Sequence, residues 1–128
     1  MADKKLILLV DDDPDFVEAV RVIVENGGYE VEVAYDGQEG LEAVAERKPD
    51  LIVLDVMMPV MNGHEACAKL KGSEETAEIP IILLTAVADR VTTSTYTHRD
   101  MLESEAEDYM PKPVEPGELL ERIKSWLS

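Results

Sequence analysis

Four groups of reactive side chains stand out in this sequence of 128 residues. Three consecutive acids, Asp11, Asp12 and Asp13, follow one aliphatic run, and Asp55 follows another. Thr85 comes after a third aliphatic run, and Lys112 lies between two prolines. Carboxylates that converge repel each other, and a hard divalent cation with oxygen ligands relieves the repulsion. Mg²⁺ suits such a site best, because it keeps several waters and takes only one or two carboxylates plus phosphate oxygens.

Together these residue types fit the transfer of a phosphoryl group to a carboxylate. A carboxylate beside a bound cation is a plausible nucleophile toward an activated phosphoryl group. The transition state then needs charge stabilisation at its equatorial oxygens. The cation and the Lys112 ammonium would supply this charge, and the Thr85 hydroxyl would donate a hydrogen bond.

The elements that must position these groups are short strands that alternate with amphipathic helices. Five segments are predicted as strands: Leu6–Val10, Tyr29–Ala34, Leu51–Leu54, Ile81–Leu84 and a short one ending at Tyr109–Met110. Helices are predicted from Pro14 to the Asn26-Gly27-Gly28 stop, after Asp36-Gly37, after Asn62-Gly63 and from Pro116. The final helix is expected to present one apolar face, made by Leu119, Leu120, Ile123, Trp126 and Leu127.

Strands that are apolar throughout are typical of a parallel sheet with helices on both faces. Sites in such sheets form at the carboxyl ends of the strands. The sequence therefore predicts that the acids, Thr85 and Lys112 meet at one edge of the sheet.

The stretch from Ala88 to Glu107 does not fit this pattern. Its apolar residues follow no helical period, and the run Thr92–Thr97 is rich in β-branched and hydroxyl side chains, which form helices poorly. We expect the fourth helix to be short, shifted or irregular.

Composition narrows the class of protein. The length predicts a single domain over residues 1–128, with an aliphatic core because aromatic residues make up only 5%. A single cysteine, Cys67, and the lack of a signal peptide or membrane span predict a cytoplasmic location. The net charge of −16 comes without a basic patch, so we expect neither direct nucleic-acid binding nor membrane binding.

Each candidate residue also has a simpler explanation. The run of acids after the first strand could be a solvated turn and helix cap, and Asp55 could cap the next helix. Thr85 could be an ordinary strand residue and Lys112 a surface charge. Independent roles of this kind would rarely place all the groups at one sheet edge, which favours a shared site.

The ordered set of motifs resembles the receiver domain of two-component response regulators, in particular the stand-alone, chemotaxis-regulator-like kind. The resemblance rests on these segments: Leu8–Asp13, Pro49–Pro59 with Asn62-Gly63, Leu84–Ala86, and Tyr109 with Lys112-Pro113. It covers nearly the whole chain and implies a flavodoxin-like (βα)5 fold with five parallel strands ordered 2-1-3-4-5. A member of this family is a known example of this strand order in doubly wound sheets.

The resemblance also implies a role for each residue of the site. Asp55 becomes the phosphoacceptor, Asp12 a direct metal ligand and Asp11 a ligand through water. Met57 would offer its backbone carbonyl to the same Mg²⁺, which Mn²⁺ can replace. Lys112 would pair with Asp55 and then with the phosphate.

A second set of residues would carry the conformational change. Thr85 would move toward the phosphoryl group, and Tyr109 would change rotamer with it. Asp13 has no required role in the family. Met57 and Val87 would flank the attacking water, and since both are apolar, we expect slow hydrolysis of the phosphoryl group.

The resemblance implies partners as well. The phosphoryl donor would be a sensor histidine kinase or a histidine phosphotransfer protein, and the reader would be a downstream protein target or an output domain. Such a chain is a signalling switch that catalyses its own phosphorylation and dephosphorylation, and is not a turnover enzyme. The sequence is compatible with a stand-alone regulator and with a receiver cut from a longer protein.

Two other classes are weaker. Phosphatases of the haloacid dehalogenase type need an acid two residues after the nucleophile, where this chain has Met57. A receiver-like module without phosphorylation would lack an acid, the lysine or the threonine, and all are present. The segment Glu105–Asp108 departs from the family's usual small residues, which puts the usual output surface in doubt.

Overall fold

A five-stranded parallel sheet forms the centre of the molecule. The computed structural model describes residues 4–56, 63–86, 106–112 and 114–127. The strands are β1 (Leu6–Val10), β2 (Glu30–Ala34), β3 (Leu51–Asp55), β4 (Ile81–Ala86) and β5 (Asp108–Lys112). Their order is β2-β1-β3-β4-β5, and every neighbouring pair is parallel. The predicted flavodoxin-like sheet with order 2-1-3-4-5 is therefore confirmed.

Four helices lie in the described ranges. They are α1 (Pro14–Asn26), α2 (Gly37–Glu46), α3 (Gly63–Lys71) and the final helix α4 (Pro116–Leu127). The helix expected to be irregular between β4 and β5 falls in 87–105, outside the described residues, so that expectation stays a prediction. Within the four described ranges, no helix is long and apolar enough to cross a bilayer.

Side chains alternate along each strand, so the sheet has two buried faces. One face packs against α2 and α3, through Leu8, Val10, Ala34, Val44, Ile52, Leu54, Val56, Ala66, Cys67, Leu70, Ile79, Ile81 and Leu83. The other packs against α1 and α4, through Ile7, Leu9, Val20, Val24, Leu51, Val53, Ile82, Leu84, Met110, Leu119 and Ile123. These aliphatic layers on both sides explain why the central strands are apolar throughout.

The first helix begins and ends where the sequence predicts. The Asp13 side chain accepts hydrogen bonds from the backbone N–H groups of Asp15 and Phe16, at 3.1 and 3.4 Å, and Pro14 occupies the first turn. The chain then leaves the helix through Gly28, whose φ of +96° favours glycine. The entry of α1 is thus fixed directly behind the acidic run.

Two details of the predicted elements are wrong. Lys112, expected just past the fifth strand, is its last residue, because β5 runs through Pro111. A proline is tolerated there since β5 is an edge strand. Trp126 does not join the buried face of α4 but is 39% exposed, and its indole N–H donates to Asp108 Oδ2 at 2.9 Å. An indole needs such an acceptor, which the core does not offer.

A buried ammonium links the amino-terminal ends of β4 and β5. Lys71, with a side chain only 3% exposed, donates to the carbonyls of Ala77 and Ile79 and pairs with Glu107 Oε2 at 2.6 Å. The other Glu107 oxygen accepts from the backbone N–H of Ile81 at 2.8 Å. Part of the segment that departs from the family pattern thus serves to anchor β5.

Candidate functional site

Three carboxylates meet at the carboxyl edge of the sheet. One carboxylate oxygen from each of Asp11, Asp12 and Asp55 lies within 4.8 Å of the corresponding oxygens of the other two residues. Asp11 and Asp55 are each only 3% exposed, whereas Asp12 is exposed to solvent. Two buried acids beside an exposed one form a cluster that is open on one side, where a ligand can enter.

The sheet register brings these acids together. Val10 of β1 pairs with Leu54 of β3, so Asp11 and Asp55, the next residues along, lie side by side. The backbone N–H of Asp11 donates to the carbonyl of Ala34, and this bond extends the ladder to the acid itself. The acids are therefore held by backbone pairing at the centre of the sheet, which fixes their separation.

Lys112 lies among these carboxylates. Its ammonium is 2.8 Å from Asp11 Oδ2 and 3.2 Å from Asp55 Oδ1. It reaches them from the end of β5, where Ala86 of β4 pairs with Lys112. The side chain is 23% exposed, so this single cation offsets the charge of two buried acids at once. The expected pairing of Lys112 with Asp55 is present, and the contact with Asp11 is closer.

The surroundings of Lys112 shift its pKa upward. Burial lowers the pKa of the ammonium, but the hydrogen bond to Asp11 and the negative charges of Asp55 and Asp11 raise it more. The net pKa lies above the ordinary value of 10.5, so the lysine is charged at neutral pH. A charged lysine at this position can stabilise an anion bound to Asp55.

The chemistry of the acidic cluster fits a hard divalent cation. Asp11 Oδ2 is buried, and the Lys112 ammonium at 2.8 Å offsets its charge. Mg²⁺ takes oxygen ligands from one or two carboxylates, with water completing its shell. Asp11, Asp12 and Asp55 could together hold such an ion.

Two more of the predicted residues, Thr85 and Tyr109, lie in the described ranges. Thr85 is half-buried and pairs in register with Pro111, one position before Lys112, so it lies at the same edge. Tyr109 is half-buried on β5 and packs against the α2–α3 face of the sheet. Met57 and Val87 lie outside the described residues, so the predicted backbone ligand and water-flanking positions stay predictions.

Asp13 shows how both explanations of the acidic run can hold. This residue caps α1, as the simpler explanation proposed, while Asp11 and Asp12 form the cluster. The Asp13 backbone N–H also donates to Asp11 Oδ1 at 3.0 Å, which orients that carboxylate. The helix cap and the cluster are therefore parts of one local arrangement.

One residue of the site was not predicted as such. The Phe16 ring lies against Lys112, with the ammonium 4.4 Å from the ring centroid. The sequence pattern assigned Phe16 to the apolar face of α1, and it does pack there, at the edge of the α1–α4 core. No sequence signal distinguishes a core aromatic from one that faces a lysine 96 positions later in the chain.

Comparison with known proteins agrees with this arrangement. A family model described as the response regulator receiver domain matches residues 7–124. The "DNA-binding response regulator MtrA" of Mycolicibacterium smegmatis is 39% identical over 97% of this chain and 51% of its own length. The "DNA-binding dual master transcriptional regulator RpaA" of Synechocystis is 36% identical over 94% of this chain and 48% of its own length. The chain thus spans about half the length of these relatives.

Solved structures show the same fold. The receiver domain of a signal transduction histidine kinase from Syntrophus aciditrophicus superposes with a TM-score of 0.88 at 35% identity, covering 96% of this chain and 89% of that one. The receiver domain of a sensor histidine kinase from Pseudomonas aeruginosa gives 0.86 at 26% identity, covering 98% of each chain. The latter structure has a magnesium ion coordinated in its active site cleft.

The relatives correct one expectation drawn from charge. Direct nucleic-acid binding was excluded because the net charge is −16, but MtrA and RpaA are named as DNA-binding regulators. This exclusion is wrong for this class of protein. The chain matches only about half of each relative, and its net charge carries no information about the other half. With the sheet order, the edge site and the match over residues 7–124 in agreement, this chain belongs to the response regulator receiver domain family.

Proposed function

We propose that the chain is a phosphorylation-controlled switch in which Asp55 accepts a phosphoryl group from phosphohistidine. The observation that carries this proposal is the position of Asp55: a buried carboxylate within 4.8 Å of two other acids and 3.2 Å from an ammonium. The donor would be a sensor histidine kinase or a histidine phosphotransfer protein. We also infer that residues 1–128 form one receiver domain, since a single sheet runs through the described residues.

The reaction would proceed by attack of an Asp55 carboxylate oxygen on phosphorus. The new O–P bond forms as the P–N bond of phosphohistidine breaks, and the departing imidazole nitrogen keeps the electron pair and takes a proton from solvent. Asp11 and Asp12, together with Asp55, would hold Mg²⁺, and Asp11 would act through water. When bound, the ion neutralises charge on the phosphoryl oxygens.

The chain's own residues would do the rest. Lys112 would move from the carboxylates to a phosphoryl oxygen, since the bound phosphoryl group brings negative charge within its reach. Thr85, at the same edge, would donate its hydroxyl to another phosphoryl oxygen. Tyr109 follows on β5 and would change rotamer with Thr85. This rearrangement would alter a protein-interaction surface on the β4–β5 side of the sheet.

The switch would also carry out its own dephosphorylation, with water as the acceptor. The phosphoryl lifetime would then depend on the residues flanking the attacking water, which by resemblance to the family are Met57 and Val87. The cytoplasmic location stays a prediction from the sequence.

Chemical mapping of the phosphorylated residue tests the proposal. The full chain is incubated with acetyl phosphate and Mg²⁺ and reduced with borohydride, which converts an aspartyl phosphate to homoserine. Tandem mass spectrometry then locates the change. Homoserine at position 55 is expected, whereas reduction only at other acids would contradict the proposal.

A further inference from the structure

Phe16 covers the ammonium that the proposed reaction uses. The Lys112 Nζ is 4.4 Å from the Phe16 ring centroid and touches carboxylate oxygens of Asp11 and Asp55 in other directions. A cation over the face of an aromatic ring within about 6 Å is attracted by the negative π-face. The ammonium is thus surrounded by two anions and one ring face.

The helix cap and the surrounding core limit where the Phe16 side chain can lie. Phe16 lies in the first turn of α1, and its own N–H donates to the Asp13 cap. Phe16 itself lines a cavity of about 10 Å³, together with Asp11, Val17, Val20 and core side chains. That is roughly the space of one water, so the ring has little room to withdraw from the lysine.

An aliphatic side chain would fill the same position in the core without attracting a cation. Lysine has a flexible four-carbon stem, and holding its ammonium in one place has an entropic cost. A ring face lowers that cost and limits access of water. Asp11 and Asp55 alone leave the ammonium free to move along their oxygens, whereas the ring adds a third contact on the ammonium, 4.4 Å from the ring centroid.

We propose that Phe16 is a positioning residue for Lys112, holding its ammonium beside Asp55 and within reach of a phosphoryl group on that residue. The expected effect on phosphorylation rests on the proposed function. The contact between ring and ammonium does not, and it is measured separately.

The chain contains a single phenylalanine, which permits a direct test. Biosynthetic replacement of all phenylalanine by mono-, di- and trifluorinated analogues changes Phe16 alone. Fluorine withdraws charge from the π-face while the ring keeps its shape, so packing is nearly constant through the series. Rate constants for phosphorylation by acetyl phosphate with Mg²⁺ are expected to fall step by step with the number of fluorines.

Substitutions provide the matched comparison. Phe16→Leu should slow phosphorylation about 3- to 30-fold, the range expected from loss of a partly desolvated cation–π contact. Phe16→Tyr should restore most of the rate, because it restores a π-face. Val22→Ala shortens an exposed side chain of α1 and leaves the ring and its surroundings unchanged, so its rate should stay near that of the wild type.

A spectroscopic measurement needs no phosphorylation. The ε-methylene protons of Lys112 should show an upfield ring-current shift by NMR in the wild type, and Phe16→Leu should abolish it. An unshifted methylene in the wild type would overturn the proposal, as would a phosphorylation rate that is independent of fluorination. A shifted methylene in a wild type that takes up no phosphoryl group would support the contact and would instead count against the proposed function.

Discussion

Lys112 lies closer to Asp11 than to Asp55, at 2.8 Å from the first carboxylate and 3.2 Å from the second. One ammonium therefore offsets both buried acids of the cluster. A cation bound in the cluster would weaken the ion pair between Asp11 and Lys112, because the cation and the ammonium compete for the same carboxylate oxygens. Asp55 would then have a lysine that is ready to move to a bound phosphoryl group.

The first prediction concerns cation binding. Mg²⁺ should stabilise the wild-type protein against thermal unfolding, by about 2.7 kcal/mol when its concentration is a hundredfold above Kd. Asp12→Asn removes an exposed carboxylate of the cluster and should abolish most of this gain. Differential scanning calorimetry of both proteins with and without Mg²⁺ measures this stabilisation.

Asp15→Asn is the matched control for that experiment. Asp15 is also exposed and lies three residues further along, but it is not part of the acidic cluster. Its variant should gain as much from Mg²⁺ as the wild type does. Equal Mg²⁺ stabilisation in the Asp12 and Asp15 variants would show that the cluster is not the cation site.

The second prediction concerns the pH dependence of stability. The pKa of Lys112 is raised in the folded protein, so the charged ammonium stabilises the native state. This contribution is fully present below the ordinary pKa of 10.5 and is lost as pH rises through the higher native value. In metal-free buffer, the stability difference between wild type and Lys112→Met should shrink above pH 10.5.

Urea unfolding at a series of alkaline pH values measures this difference. Lys48→Met removes an exposed lysine and serves as the control for the loss of one charge. A wild-type advantage over Lys112→Met that persists unchanged to the most alkaline pH would argue against the ion pairs at the sheet edge.

Most of the fold could be predicted because it depends on local pattern. The aliphatic runs mark strands that are buried on both faces, and Pro14 and Gly28 mark the ends of α1. The contacts of Lys71 with Glu107 and of Phe16 with Lys112 join residues far apart in sequence. No local pattern encodes them, since each depends on side-chain direction after the sheet has formed.

Some features of the site could likewise be predicted from the sequence, and others could not. Its acids could be predicted because each follows a strand, and parallel strands bring such residues to one edge. The preference of Lys112 for Asp11 could not be predicted, because it depends on distances of a few tenths of an ångström. The exposure of Trp126 could not be predicted either. Its position in the helical period suggested burial, but its indole N–H donates to Asp108 at the surface.

The third prediction concerns the buried link between β4 and β5. Lys71→Met keeps the apolar stem but leaves Glu107 and two carbonyls without the ammonium, and should cost about 2–4 kcal/mol of unfolding free energy. Lys69→Met, on the exposed side of α3, should change stability by less than about 0.5 kcal/mol. Urea denaturation compares the two variants.

The link between Lys71 and Glu107 lies at the opposite end of the strands from the acidic cluster. Lys71→Met should therefore retain the stabilisation by Mg²⁺ that the wild type shows, at a temperature where both are folded. Loss of this stabilisation in a folded Lys71→Met protein would mean that the two ends of the sheet are coupled more strongly than these contacts imply.

The central claim is that Asp55 takes up the phosphoryl group, and intact mass tests it most directly. Wild type and Asp55→Ala are each incubated with acetyl phosphate and Mg²⁺ and measured by mass spectrometry. We predict that the wild type gains the mass of one phosphoryl group and that Asp55→Ala gains none. An equal gain in both proteins would contradict the account.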